Sequence, residues 1–208
     1  MMKLFTSEET NNPIRLPMKD AEVWYYPNFY SEEIATTFQK KIMAETEWQE
    51  DDITVFGKTY KQPRLTALYG DDGKSYSYSN IKMQPKKFTS LLEDIKNDVE
   101  KISNEKYTTV LLNLYRDGSD SNGWHSDDEK ELGKHPFIAS LSFGAKRTFH
   151  FKHKHNKNER FKMNLKHGSL LLMGGTTQAY WQHQLPKSKK QLLPRINLTF
   201  RNIKVSFI

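Results

Sequence analysis

Arg195-Ile196-Asn197-Leu198-Thr199-Phe200-Arg201 alternates polar and apolar side chains without a break. On an extended backbone neighbouring side chains point to opposite faces, so Ile196, Leu198 and Phe200 share one face and Arg195, Asn197, Thr199 and Arg201 the other. The first face is core. The second carries two guanidiniums, which keep their charge and match carboxylates bidentately, so a half-buried strand of this kind requires an anionic partner. A dicarboxylate satisfies it.

Working back from this stretch, strand patterns recur at Thr109 to Tyr115, Phe137 to Phe143, Arg147 to Phe151 and Gly168 to Met173, separated by Gly-, Pro- or Asp-rich turns. Helical patterns lie nearer the N-terminus. Ser31 followed by Glu32 and Glu33 reads as a capped start, with Ile34, Phe38 and Ile42 at four-residue spacing to about Met43. A second amphipathic helix is expected from about Pro85 to Ile102, burying Phe88, Leu91, Leu92, Ile95 and Val99. Between them lies a Gly-, Tyr- and Thr-rich stretch that reads as hairpins or loops. Helices first and strands later point to an α+β fold, with helices supporting a largely antiparallel sheet rolled into a double-sheet jelly roll.

The chain has 208 residues, enough for one compact domain, preceded by a polar, extended arm over residues 1–20. Its net charge of +7 favours an anionic partner, nucleic acid or a membrane surface. Glu159 is the last acidic residue, so the basic face is built largely by the C-terminal quarter, including Lys187, Lys189 and Lys190. The absence of cysteine rules out disulfides and thiolate metal sites. No stretch approaches a membrane span or a signal-peptide core, so the protein is read as soluble and intracellular, cytoplasmic in a bacterium and nuclear in a eukaryote.

Gly123-Trp124-His125-Ser126-Asp127 places a histidine and a carboxylate two residues apart, on the same side of an extended backbone. His183, in Tyr180-Trp181-Gln182-His183 just before the final strand, is the best candidate for a third ligand. Two histidines and one carboxylate leave open positions on a non-haem iron. Alone, His125 also fits an ordinary loop histidine. His153 and His155 read as a solvated basic loop, and His150 as a strand residue against the core. Asn113 and Tyr115 would offer neutral hydrogen bonds from a neighbouring strand with Leu112 and Leu114 packed behind, or form the polar outer face of an exposed sheet.

Taken in order, Asn113-Leu114-Tyr115, His125-Ser126-Asp127, His183 and the Arg195–Arg201 run resemble the AlkB dioxygenases, most like the animal homologues that repair alkylated duplex DNA. The similarity extends through Tyr115-Arg116-Asp117-Gly118, Ser140–Ala145, Arg147-Thr148-Phe149 and His167–Leu170, from roughly Val55 to Lys204. The resemblance implies a double-stranded β-helix with iron held by His125, Asp127 and His183. It further implies 2-oxoglutarate held by Arg195, with Asn113, Tyr115, Asn197 and Thr199 assisting and Arg201 near the metal-proximal carboxylate or Asp127. With O₂ as the other cosubstrate, the implied reaction releases succinate, CO₂ and, from a methylated base, formaldehyde.

A base inside a duplex hides its Watson–Crick edge, so such an enzyme flips the nucleotide out or works on single strands. Residues 50–84 resemble the family's nucleotide-recognition lid within the single dioxygenase domain, 21–208. Tyr76 or Tyr78 would stack on the base, and Asp128 or Glu129 would favour a cationic methylated base. Val55-Phe56-Gly57 looks like a finger that fills the gap left by the flipped base; Phe56 as buried core is the alternative. Lys152, Lys154 and Lys157, with Lys187, Lys189 and Lys190, are candidate phosphate contacts. The expected substrate is alkylated DNA, such as 1-methyladenine and 3-methylcytosine, acted on by a monomer. The alternatives are an RNA demethylase of the same chemistry and a non-enzymatic basic nucleic-acid-binding module.

Overall fold

Two β-sheets face each other, and the chain's alternating strands supply both. The computed structural model describes residues 12–55, 57–71, 76–78, 81–190 and 192–204, with backbone only at 54–55, 76–78 and 81–83. In chain order the elements are β1 (Ile14–Arg15), β2 (Glu22–Tyr26), α1 (Glu32–Glu45), β3 (Asp52–Val55), β4 (Lys58–Lys61), β5 (Leu65–Gly70), β6 (Tyr76–Tyr78), β7 (Ile81–Met83) and α2 (Ser90–Ser103). They continue with β8 (Thr109–Tyr115), β9 (Asn122–His125), β10 (Ile138–Gly144), β11 (Arg147–His153), β12 (Arg160–Leu165), β13 (Ser169–Gly174), α3 (Thr177–Tyr180), β14 (Trp181–Leu185) and β15 (Arg195–Arg201).

The larger sheet runs β1-β2-β13-β10-β15-β8-β5 and the smaller β12-β11-β14-β9, with antiparallel pairing throughout. Two further hairpins, β3–β4 and β6–β7, occupy the Gly- and Tyr-rich stretch. This is the double-stranded β-helix expected of the sequence.

The alternation in the strands sorts the core into two layers. Leu112 and Leu114 of β8, Leu141 and Phe143 of β10, and Ile196, Leu198 and Phe200 of β15 pack under α1 and α2 with Phe38, Ile42, Ile95 and Val99. The opposite faces meet the smaller sheet, where Tyr115, Ile138, Leu171 and Met173 join Phe149, Phe151, Trp181 and Leu185. Every residue of β15 is buried, polar ones included, so its cationic face looks into the space between the sheets rather than into solvent.

Ser31 caps α1 by accepting from the Ile34 N–H at 3.3 Å. The second helix starts later than its periodicity suggests, at Ser90 under the cap of Thr89. The preceding backbone is used elsewhere: Lys86 accepts from Gly70 N–H and donates to the Leu68 carbonyl, extending the edge of β5.

The described part of the polar arm predicted for residues 1–20 is extended at β1, as an edge strand of the larger sheet. Ile14–Arg15 pairs with Trp24–Tyr25, and Leu16 and Met18 are buried between the sheets. The alternation of Ile14, Leu16 and Met18 was the signal for it. His183 does precede the last strand, but inside a strand of its own, β14. His150 is half-buried on the outward face of β11, not against the core. His153 ends β11 with its ring over Tyr180 at 5.7 Å and edge-on to Trp181 at 5.2 Å, so it belongs to no solvated loop.

Candidate metal centre and cosubstrate pocket

Pairing of β9 with β14 sets His125 directly opposite His183, and their ring centroids lie 4.3 Å apart. Asp127 follows two residues beyond His125, and the ligating atoms of the three side chains lie within 4.8 Å of one another. Among the described residues no other such group of histidines and carboxylates occurs. His183 is held by Phe149 and Phe151, at 5.3 and 6.2 Å between ring centroids. His125 Nδ1 is 2.8 Å from the Gly123 carbonyl, which assigns the proton to Nδ1 and makes Nε2, 3.3 Å from the Asn122 amide nitrogen, the lone-pair atom that a metal would use.

Electrostatics keep this donor set ready. Burial pushes the Asp127 carboxyl up, but the Arg201 guanidinium, donating to Oδ1 at 2.6 Å, and the two imidazoles outweigh it and bring the pKa down to about 2. Burial, reinforced by neighbouring His125, lowers His183 to about 3, and burial also lowers His125. Two neutral imidazoles and a carboxylate anion are the donors that a divalent iron takes without first displacing protons.

The same shifts make stability depend on pH. An unfolded His183 binds a proton near 6.5, whereas the folded one refuses it until about 3, so the metal-free fold loses stability as pH falls below 6.5. The slope is up to about 1.4 kcal/mol per pH unit. Asp127, whose folded pKa is the lower one, adds to the loss only as pH falls from 3.8 toward 2. Urea unfolding of metal-free protein is expected to show about 2 kcal/mol less stability at pH 5 than at pH 7; equal values would mean that His183 is protonated in the fold.

Beside these three side chains opens a pocket whose wall is the polar face of the larger sheet. Register places Asn113 opposite Asn197, Tyr115 opposite Arg195, and Ser140 opposite Thr199, and all line the pocket together with His125, Asp127 and His183. Asn197 donates to Ser140 Oγ at 2.8 Å and accepts from Thr199 Oγ1 at 2.9 Å. Arg195 is 2% exposed, lies over the Tyr115 ring at 5.3 Å and donates through Nη2 to Ser142 Oγ at 2.9 Å.

Arg195 Nε is buried with no hydrogen-bond partner, and no acidic side chain among the described residues pairs with the group. Burial, with Arg147 nearby, lowers its pKa to about 10. A guanidinium left in this condition is a receptor for a carboxylate supplied from outside.

Asp128 and Lys154 pair with each other at 2.9 Å, so the base contact expected of one and the phosphate contact expected of the other start from a shared ion pair. Lys152 Nζ lies 4.5 Å over the Trp124 ring, and Glu129 is half-buried. Lys157, Lys187, Lys189 and Lys190 are exposed. The Lys187–Lys190 loop is drawn against Gly118, whose carbonyl accepts from Ser188 N–H at 2.7 Å. A side chain on Gly118 would meet the Ser188 carbonyl at 2.6 Å. Phe56 lies outside the described residues, and of Tyr76 and Tyr78 only the backbone of a β6–β7 hairpin is described.

Sequence reasoning missed Arg64. It is 4% exposed, donates through Nε to Asn113 Oδ1 at 2.8 Å, and so orients a pocket side chain. A lone arginine after Pro63 carries no periodicity that could have revealed it. Phe149 and Met173, which complete the pocket's apolar side, read only as core.

The arrangement defines a class, and residues 22–201 match the family model of the 2OG-Fe(II) oxygenase superfamily; the chain belongs to this family. It is therefore a dioxygenase that uses Fe(II), 2-oxoglutarate and O₂. Among particular relatives, it is 41% identical over 196 residues to human alpha-ketoglutarate-dependent dioxygenase alkB homolog 3, covering 90% of this chain and 68% of that one. To the cattle (Bos taurus) DNA oxidative demethylase ALKBH2 it is 43% identical over 158 residues, covering 73% and 57%. The solved structure of OsALKBH1 shares the fold, with a TM-score of 0.68 at 17% identity over 91% of this chain and 99% of that one. Among the described residues no helix is long and apolar enough to cross a membrane.

Proposed function

We propose that this chain is an oxidative demethylase of alkylated DNA bases such as 1-methyladenine and 3-methylcytosine, with iron held by His125, Asp127 and His183. The observation that carries the site assignment is Arg195, a buried cation lacking a carboxylate, in the pocket onto which all three ligands open. The DNA substrate is supported by the relative named a DNA oxidative demethylase and by the net charge of +7. Bound iron and 2-oxoglutarate supply the oxidising power, with O₂ consumed and succinate and CO₂ released.

The protein's part is positioning and water exclusion. Arg195 receives the distal carboxylate, with Tyr115, Asn113, Asn197 and Thr199 hydrogen-bonding around it, while Arg201 keeps Asp127 ionised and oriented. Residues 50–84 act as the nucleotide-recognition lid, with Tyr76 or Tyr78 stacking on the extruded base. Lys152, Lys189 and Lys190 take phosphates. Phe56 is the finger of the duplex reaction, and Phe56→Ala is expected to lower turnover of a methylated duplex more than that of the same single strand. Equal losses on both would remove that role.

The deciding experiment reconstitutes the protein anaerobically with Fe(II) and 2-oxoglutarate, then admits O₂ with a methylated oligonucleotide while formaldehyde, succinate and restored base are followed together. Stoichiometric formaldehyde and repaired base are expected. Succinate without repair would move the substrate to RNA or another molecule, and neither product from folded, iron-loaded protein would overturn the reading.

A further inference from the structure

Asp127 is gripped from two directions, and only one of them is the Arg201 ion pair. Its backbone N–H donates to Gln178 Oε1 at 3.0 Å, and Gln178 is 1% exposed, with its amide nitrogen 3.8 Å from Met173 Sδ. The neighbours of Asp127 are tied to the same short segment. Ser126 Oγ donates to the Trp181 carbonyl at 2.9 Å. Lys154 Nζ bridges the Gln178 carbonyl at 2.8 Å and the Asp128 carboxylate at 2.9 Å. Three consecutive residues, Ser126 to Asp128, thus hang from residues 178–181.

That segment is itself fastened from behind by the N-terminal strand region. Trp181 Nε1 donates to the Lys19 carbonyl at 2.8 Å and Thr176 Oγ1 to the Asp20 carbonyl at 3.1 Å. Glu22 N–H donates to Thr177 Oγ1 at 2.9 Å. The same segment runs on into β14 and delivers His183. A buried amide whose oxygen is spent on one backbone N–H fixes that residue's backbone, and groups behind metal ligands set affinity by fixing ligand orientation.

We propose that Gln178 is a positioning residue of the metal centre, holding the backbone of Asp127 so that its carboxylate and His183, both carried or braced by α3–β14, keep a fixed relation. This rests on the iron assignment above. It makes the 176–181 turn a brace that connects the N-terminal strand to two of the three ligands.

Gln178→Met keeps the volume and removes the acceptor; Ser126→Ala removes the neighbouring tie at a half-exposed site. Fe(II) affinity is measured by anaerobic titration, alongside the absorption of the Fe(II)–2-oxoglutarate complex and the melting temperature without metal. For Gln178→Met the Fe(II) dissociation constant is expected to rise about 10- to 100-fold, with an altered complex spectrum and a 2-oxoglutarate requirement that is otherwise retained. Ser126→Ala is expected to raise it several-fold, and Gln178→Glu, which keeps an acceptor oxygen, to restore most of what Gln178→Met loses.

Wild-type affinity and spectrum in folded Gln178→Met would overturn the proposal. If Gln178→Met fails to fold, Ser126→Ala decides: a raised dissociation constant supports the brace and an unchanged one overturns it. Failure of the wild-type protein itself to bind Fe(II) would instead overturn the iron assignment.

Discussion

Asp127→Asn is expected to lower turnover by on the order of 10³-fold or more, beyond the 10- to 100-fold typical of losing an outer partner of a metal ligand. The amide keeps the size and one oxygen for Arg201 but supplies no anion to the metal. Asp127→Ala carries a second penalty. The carboxylate is 1% exposed and accepts from Arg201 at 2.6 Å, and breaking a buried pair by removing one partner costs about 3–5 kcal/mol. From sequence alone, removing Asp127 looks neutral to the fold, because it removes a ligand and no core volume; the ion pair with Arg201 changes that expectation. Fe(II) titration and thermal melting of the two variants separate the effects. Retained 2-oxoglutarate turnover in Asp127→Asn would sink the metal assignment.

Arg195→Met is expected to raise the KM for 2-oxoglutarate about 30-fold or more, since truncating one partner of a buried hydrogen-bonded charge pair costs about 2–5 kcal/mol. The KM for the oligonucleotide should not move, because Arg195 faces the space between the sheets. Without ligand the same change is expected to leave the melting temperature no lower. Burial holds the guanidinium's pKa at about 10, so the empty pocket keeps a cation at a cost that methionine does not carry. A drop in apo stability with unchanged 2-oxoglutarate affinity would make Arg195 a structural cation and remove the cosubstrate pocket from this wall.

Much of the fold is readable where a strand faces two unlike environments. In β15 the alternation is strict and in β8 it holds from Leu112 to Tyr115, with Leu112, Leu114, Leu198, Ile196 and Phe200 toward the helices and Asn113, Tyr115, Arg195 and Arg201 toward the pocket, and the strand spans follow directly. β12 hides its alternation under Arg160 and Lys162, so its Phe161 and Met163 pass for part of a basic loop. β14 hides behind its polar glutamines, Gln182 and Gln184. Local pattern reports the contrast between faces, and where basic or amide side chains dominate a strand the contrast is weak.

The candidate site divides along the same line. His125 and Asp127 are legible as a pair because spacing of two is a local property, and the double arginine of β15 announces an anion without any partner in view. That His183 stands opposite His125, that Arg201, for which the resemblance offered two neighbours, pairs with Asp127, that Arg64 reaches Asn113, and that Gln178 holds the Asp127 backbone were decided by tertiary structure. Each of these contacts joins residues between 49 and 74 positions apart or across two strands. Sequence determines which faces must be buried and which charges need partners; only packing the two sheets together chooses the partner, because that choice depends on register between strands distant in the chain.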